Sequence, residues 1–459
     1  MPSQSAIQAV LADQIEVRGK SVGMAVGIVS PEGRQVVSHG ATIRGGPAPD
    51  ADVAFEVASI TKAFTATLLA DMARRGEVSL DDAVARHLPA GFTVPTWNGH
   101  AITLRDLATH TSGLPPQPPD VPTLNDPRLA TYSVDQLFRA LSNFQLTRPI
   151  GSQWEYGNWD FALLGHVLAH RAGVDFETLV EQRITGPLGM TSTALQRTKS
   201  MRLATIHNAD LEPISRLALG AIEPAGGIVS SANDLLTFAS ALLGLVPSPL
   251  AGVLETMVGT RRPMRPSLGR MLRDNWRLML RMILAPPAAA DRPVRYFSGA
   301  EAGLAWFILK RGTREMVVHD GAAPGCSASL SMDPVTRTAV VVLSNTGINI
   351  HDVSHHLLWP DYPLSRTRHE VRPPSAELTR YVGTYQIPHG PAFRITPGRG
   401  RLTIAFPVVG DLVFRAESSH TFFVPEMDFE FRFTAHGPIR EVIVRPGRGQ
   451  PSVPVPRVA

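Results

Sequence analysis

The sequence predicts an α/β (α+β) protein: an antiparallel sheet flanked by helices, a mostly helical insertion, and a separate all-β domain after it. Three observations predict this. Residues 22–38 (VGMAVGIVSPEGRQVVS) read as two short β runs joined by a Pro-Glu-Gly turn, an antiparallel hairpin. Residues from about 80 to 245 carry mostly helical spacing, interrupted by Pro-rich loop. Strand-like runs then return at WFILK, REMVVHD, CSASLSMD and TAVVVLSN, so one sheet draws strands from residues 20–60 and 300–365.

Along the chain, Ser59 opens a periodic helix in which Ala63, Ala66, Leu69 and Met72 recur at three- and four-residue steps, and Gly76 closes it. LRDLATH, VDQLFRALSNF, WDFALLGHVLAHRAG, FETLVEQRI and ANDLLTFASALL supply the helices of the insertion, while GLPPQPPDVPTLNDP is loop. A final helix is expected near HDVSHHLL. After RTRHEVRPP the pattern becomes short alternating runs, RLTIAF, DLVFRA, TFFVP, FEFRFTA and EVIVRP, separated by turn residues, which is an all-β signature. A first domain over 1–368 and a second over 375–459 follow from that shift. In GRMLRDNWRLMLRMIL (269–284), Arg270, Arg273, Arg277 and Arg281 share one helical face. That stretch reads as a solvated basic face, with contact to a membrane surface or substrate entrance as the sharper alternative.

Composition excludes several classes. With 459 residues, 44% of them hydrophobic and 18% charged, the chain can bury a large core and is not a disordered one. Its net charge is +4, with Arg scattered among acids, so it lacks a nucleic-acid footprint. One cysteine, Cys326, excludes an intrachain disulfide, a Cys-rich zinc site and an Fe–S cluster. It reads as a small buried strand residue. The first twenty residues lack a basic start followed by an apolar run, and no long apolar segment occurs, so the expectation is a cytoplasmic protein without a membrane span. His166 and His170 stand one helical turn apart, but a His pair in an apolar helix run is read as structural, and no metal or other cofactor is implied.

Three short motifs carry chemistry. Ser59-Ile60-Thr61-Lys62 puts a hydroxyl and an amine on one helical face, and lysine is scarce here: only Lys20, Lys62, Lys199 and Lys310 occur. A serine nucleophile needs a neighbour to take its proton, and a helix start disfavours a cation, which helps keep the amine neutral. Tyr156-Gly157-Asn158 precedes a helix; a cation beside Tyr156 would favour its phenolate, making it a proton shuttle. His319-Asp320-Gly321 ends a strand, where Gly321 lets a substrate lie against the edge and the Ala322 amide can point at an oxyanion. Taken singly, the second and third motifs are more readily a loop aromatic with a turn-forming Asn and a strand-terminating Asp-Gly turn. The α/β-hydrolase elbow G-x-S-x-G, the zincin H-E-x-x-H and a phosphate-binding Walker loop do not occur.

In order and spacing these motifs resemble the serine β-lactamase and penicillin-binding-protein superfamily, in particular its class C-like branch of β-lactamases, DD-peptidases, D-aminopeptidases and carboxylesterases. Phe55-Glu56-Val57-Ala58, Leu104-Arg105-Asp106-Leu107 with His110-Thr111-Ser112-Gly113-Leu114, Pro187-Leu188-Gly189-Met190, Pro224-Ala225-Gly226-Gly227 and Ala232-Asn233-Asp234-Leu235 add to the likeness, which spans roughly residues 20–350. Tyr381-Val382-Gly383-Thr384-Tyr385 is similar to the opening of lipocalin-like β domains that follow some of these hydrolases. The resemblance implies a β-lactamase/transpeptidase-like fold with Ser59 as acylated nucleophile, Lys62 as its partner, Tyr156 as general base and later acid, and Asn158 as support. It further implies that the Ser59 and Ala322 amides form the oxyanion hole, with His319 where many members have lysine. Tyr156 is followed by Gly157 rather than the commoner Ser.

The expected activity is a carboxylesterase on small neutral esters, because His319, Asp320 and Ala322 replace the lysine and hydroxyl with which relatives hold a substrate carboxylate, and Asp320 would repel one if it faced the pocket. Alternatives are a D-aminopeptidase or amidase, a DD-peptidase or β-lactamase, an acyltransferase, and a non-catalytic binding member. The partner expected is a small ester or amide.

Overall fold

The computed structural model describes residues 1–459 except 124–125, 196–200, 209, 265–299, 363, 366–367, 369, 388–391, 399–400, 407–409, 424–428, 435–436, 447–451 and 459. The basic stretch 269–284 therefore lies outside the described residues. Two compact units are present: Met1–Arg265 with Ala300–Leu364, and a second whose described residues fall within Ser365–Ala459.

The first unit is built on an antiparallel sheet. Its strands are β1 (Gly23–Ser30), β2 (Gly33–Gly40), β7 (Arg262–Pro263), β8 (Glu301–Ala302), β9 (Phe307–Arg311), β10 (Arg314–Ala323), β11 (Cys326–Asp333) and β12 (Thr338–Ser344), in the order β2-β1-β12-β11-β10-β9-β8-β7. Two small ladders stand apart, β3 (Ala54–Glu56) with β6 (Val229–Ser231) and β4 (Thr96–Trp97) with β5 (His100–Ala101). Register joins the ends of the unit, Val26 pairing with Val342 and Val37. The N-terminal hairpin and the late strands thus form one sheet, as the sequence patterns require.

Helices cover both faces. They are α1 (Gln4–Ala12), α2 (Thr61–Arg74), α3 (Leu104–Ala108), α4 (Val134–Ser142), α5 (Asn158–Ala172), α6 (Phe176–Val180), α7 (Gly186–Leu188), α8 (Ala232–Leu242), α9 (Val253–Gly259) and α10 (His351–Leu358). The helix α1, capped by the Ser3 hydroxyl, was not foreseen; it joins α10 in burying Met24, Val26, Ile28, Val340 and Val342. The opposite face holds Ala25, Val341 and Leu343 in the main core with α2, α5 and α8. Covered on both sides, β1 and β11 are buried at every position, which is why they read as continuous apolar or small runs rather than alternating ones. Gly27 permits the close approach of α8, since a Cβ there would stand 2.8 Å from the Leu236 side chain.

From Thr61 to Met72 every residue of α2 is buried. Phe64 stacks on Phe238 of α8 with ring centroids 4.4 Å apart. A helix enclosed on all sides holds its polar residues away from water, and this is the environment of Lys62.

The second unit is an antiparallel meander, β13 (Gly383–Gln386), β14 (Ala392–Pro397), β15 (Leu402–Phe406), β16 (Gly410–Ala416), β17 (Thr421–Phe423), β18 (Phe429–Phe433), β19 (Glu441–Pro446) and β20 (Val453–Pro456), paired in chain order. A bridge between Tyr385 and Arg457 brings the last strand back to the first, approaching a closed barrel. Its core is aromatic: Tyr381, Tyr385, Phe393, Phe414, Phe422, Phe431 and Phe433.

Candidate active site

Ser59 does not lie within α2 but in a one-turn 3₁₀ segment, Ala58–Ile60, just before it. That turn is pinned by the β3–β6 ladder, by Val57 N–H donating to Ile228 O (3.2 Å), and by Ile228 N–H donating to Thr61 Oγ1 (3.0 Å). Ala58 takes φ +43°, a left-handed conformation that costs a non-glycine residue about 1–3 kcal/mol and persists only where surroundings enforce it. The result projects Ser59 toward a pocket while Lys62, one turn on, is buried completely.

Lys62 Nζ has three oxygen neighbours: Ser59 Oγ at 3.2 Å, Asn158 Oδ1 at 2.7 Å and Ala225 O at 2.8 Å. Burial lowers its pKa to about 7, with Asp160 opposing. A neutral amine has two N–H donors and one lone pair; Asn158 and Ala225 take the donors, and the lone pair is left for the Ser59 hydroxyl. Asp160 sits behind, its Oδ1 accepting from Ser112 Oγ (2.6 Å), and burial pushes its carboxyl well up.

Tyr156 lies in the loop before α5, beneath Lys62 Nζ at 4.7 Å from its ring centroid. Rings of His110 (4.6 Å), Phe307 (6.1 Å), Trp154 (6.4 Å) and His319 (6.4 Å) surround it. Burial pushes the phenol up beyond its usual range, with the Ser59 hydroxyl opposing. This corrects the expectation of a phenolate: burial outweighs the neighbouring cation, and the same burial lowers the Lys62 ammonium to about 7.

The third motif divides across β10. His319 is fully buried, its Nδ1 donates to Ala305 O (2.7 Å), and burial with Lys62 lowers its pKa to about 3, so it carries no charge at neutral pH. A Cβ on Gly321 would stand 2.1 Å from Val57 O and 3.3 Å from Ser59 N, so only glycine lets the strand lie against the nucleophile turn. Pairing with β9 ends at Val318, so among the described residues no strand pairs with 319–323 on that side. Asp320 faces the other way because side chains alternate along a strand. Its Oδ1 accepts from Ser329 (2.5 Å) and its Oδ2 lies 3.4 Å from His351 Nδ1. It does not line the pocket, and the expected repulsion of an anionic substrate by Asp320 is withdrawn.

A pocket of about 620 Å³ opens beside Ser59, Asn158 and Ala322. Val121, Leu129, Ile206, Ile214, Leu217 and Ile222 give it apolar walls. Its charged lining residues, Glu56 and Arg216, are paired at 3.1 Å, and Arg216 also donates to Leu195 O and Gly227 O. Neither residue was singled out from sequence as part of the site; Arg216 has no motif around it, and its role exists only because the 206–227 segment folds over Ser59. His166, by contrast, donates from Nε2 to Ala221 O (2.9 Å), outside this pocket. Among the described residues no three His, Cys, Asp or Glu side chains gather so as to hold a metal ion, and no helix is long and apolar enough to cross a membrane. Cys326 is buried, as expected of it.

The geometry places a serine, a buried lysine and a tyrosine around one hydroxyl, and the Beta-lactamase family matches residues 6–357. The chain belongs to that family. It is 28% identical over 358 residues to the D-alanyl-D-alanine-carboxypeptidase/endopeptidase AmpH of Escherichia coli (strain K12), covering 74% of this chain and 86% of that protein. Over 307 residues it is 31% identical to Putative beta-lactamase-like 1 of Homo sapiens, covering 64% of this chain and 55% of that protein. The fold is also that of a beta-lactamase/D-alanine carboxypeptidase from Yersinia pestis, with a TM-score of 0.59 at 24% identity over 75% of this chain and 92% of that one. D-alanine carboxypeptidase AmpC from Burkholderia cenocepacia gives 0.59 at 22% identity, over 78% and 99%. The family is one of serine hydrolases, and the class C-like fold is as the motifs implied.

Proposed function

We propose that the chain is a carboxylesterase acting on uncharged esters through an acyl-enzyme on Ser59. The observation that carries this reading is that, among the described residues, the groups lining the pocket carry no net charge. His319 is neutral, Asp320 turns away, and the two charged residues that line the pocket neutralise each other.

The substrate carbonyl oxygen sits between the Ser59 and Ala322 amides, and Ser59 Oγ attacks the carbonyl carbon as its proton passes to Lys62 Nζ. Collapse of the tetrahedral intermediate breaks the ester C–O bond. The departing alkoxide takes the Tyr156 proton, and Lys62 returns its proton to Tyr156. Water then attacks the acyl-enzyme by the same path in reverse, releasing the acid and restoring Ser59. Tyr156 does not line the apolar pocket, so the leaving group lies on the Tyr156 side and the acyl group in the pocket. About 620 Å³ is ample for an aliphatic or aryl acyl group within the ~300–1,000 Å³ range of small-molecule sites.

The test compares kcat/KM for a neutral p-nitrophenyl ester, nitrocefin and a D-Ala-D-Ala peptide. The ester is expected to be turned over fastest, with one acyl adduct on the Ser59 peptide by mass spectrometry. Preference for either carboxylate-bearing substrate overturns the esterase reading in favour of the β-lactamase or peptidase activity named for the relatives. An adduct elsewhere overturns the assignment of Ser59.

A further inference from the structure

The oxyanion donor assigned to Ala322 is the N–H of the peptide whose carbonyl belongs to Gly321. The two groups share one plane and point in opposite directions, so whatever holds the carbonyl also aims the N–H. Register places Ala322 opposite Ser327, one step in from the Ala323–Cys326 pair that closes a two-residue turn. In such a hairpin the closing pair exchanges hydrogen bonds and the next pair does not, so the Ala322 N–H points to the edge that β9 does not pair and Gly321 O points back into the sheet.

Behind that carbonyl stands α10. His351 Nε2 lies 3.2 Å from Gly321 O, and since a carbonyl can only accept, this nitrogen carries the hydrogen and donates it. The other ring nitrogen, Nδ1, lies 3.4 Å from Asp320 Oδ2. Asp320 is fixed in turn: its Oδ1 accepts from Ser329 Oγ at 2.5 Å, Ser329 meets Ser354 at 2.5 Å, and Ser354 bonds both Ser331 (3.0 Å) and the His351 carbonyl (3.0 Å). His355 Nε2 approaches Asp320 Oδ1 at 4.0 Å and stacks edge-on against Tyr362. The hydrogen bonds among Asp320, Ser329, Ser354 and Ser331 hold this part of the network in one geometry.

We propose that His351, oriented by Asp320, is a positioning residue of the oxyanion hole: it fixes and polarises the Gly321–Ala322 peptide from the face opposite Ser59. Withdrawing electron density at the Gly321 oxygen strengthens the Ala322 N–H as a donor, and pinning the plane keeps that donor aimed as charge develops on the substrate oxygen. The role rests on the serine-hydrolase reading of the same site. Asp320 is thereby assigned to support through the backbone, not to substrate contact.

The experiment uses the full chain and three variants, with a neutral p-nitrophenyl ester and an alkylboronic acid as tetrahedral adduct probe. Removing an oxyanion donor costs about 10²–10³ in kcat; here the donor stays and Gly321 O keeps its ladder partner in the Gly321–Ala328 pair, so losing the second hydrogen bond in His351→Leu is expected to lower kcat about tenfold with KM within about twofold. The boronic acid should bind more weakly by the same factor. His351→Gln, whose amide nitrogen reaches the Nε2 position, should restore kcat to within about twofold. His351→Asn, which reaches only the Nδ1 position, should not, and this pair of polar variants decides the matter if His351→Leu fails to fold. Unchanged kcat in a folded His351→Leu or His351→Asn, equal losses in Asn and Gln, or a loss in KM alone would overturn the proposal. Wild-type chain that neither turns over the ester nor binds the boronic acid overturns the hydrolase reading itself, and this role with it.

Discussion

The ten residues of β10 present two faces of opposite chemistry. Toward Ser59 the strand offers a neutral histidine, a glycine and the edge that β9 does not pair, under a lid of aromatic rings from Tyr156, Phe307 and Trp154. Away from Ser59 it offers Asp320, which is met by two histidines of α10 and a chain of three serines. Burial raises Asp320, yet His351, His355, Ser329 and His319 outweigh it and leave its carboxyl lowered. On the front burial outweighs the single opposing carboxyl, Asp160, and the Lys62 pKa falls to about 7. One strand thus separates a site that must deprotonate a lysine from a network that keeps a carboxylate ionised.

The sharpest way to break that contrast is on the front face. Ser59→Ala should abolish covalent labelling and lower kcat by about 10⁵–10⁶, while thermal unfolding stays within a few degrees because the side chain is partly exposed. Lys62→Ala and Tyr156→Phe should each cost about 10²–10⁴ in acylation, and the double variant far less than the product, since both serve one proton path. Stopped-flow acylation rates check this, and multiplicative losses would assign the two groups to separate steps.

Gly321→Ala comes next. Its Cβ has no room before Val57 O, so the strand must withdraw from Ser59, and kcat should fall by about 10² even though alanine suits a strand. A smaller effect is expected from pH. Catalysis needs Lys62 neutral, so kcat/KM for a neutral ester should rise roughly tenfold per unit below about 7 and level off above it. A limb that continues rising toward pH 10 would show that burial does not depress the lysine. The mildest test is in the pocket. Ile214→Trp should reduce kcat/KM for an octanoyl ester roughly tenfold relative to an acetyl ester, about the 1–3 kcal/mol that apolar pockets discriminate.

The sequence by itself determined the elements and which side chains are candidates to react. Two-residue alternation and Gly or Pro punctuation marked the hairpin and the late strands, because those patterns are imposed locally by the pleat and by turn geometry. Three-residue spacing placed Ser59 and Lys62 together, since a helical turn brings i and i+3 onto one face whatever surrounds them. Asn158 and Gly321 were likewise visible in their motifs, and the structure brings both to the hydroxyl or its turn. Tertiary structure decided the rest. Alternation requires that Asp320 and Gly321 face opposite ways, but which face meets Ser59 depends on where the 54–60 segment crosses the sheet. The charge states of Lys62 and Tyr156 depend on burial, supplied by groups as distant in the chain as Ala225, Phe307 and His319. The same holds for His351, which no motif announced. Hydrogen-bond partners and desolvation are properties of the packed chain, whereas spacing belongs to the backbone alone.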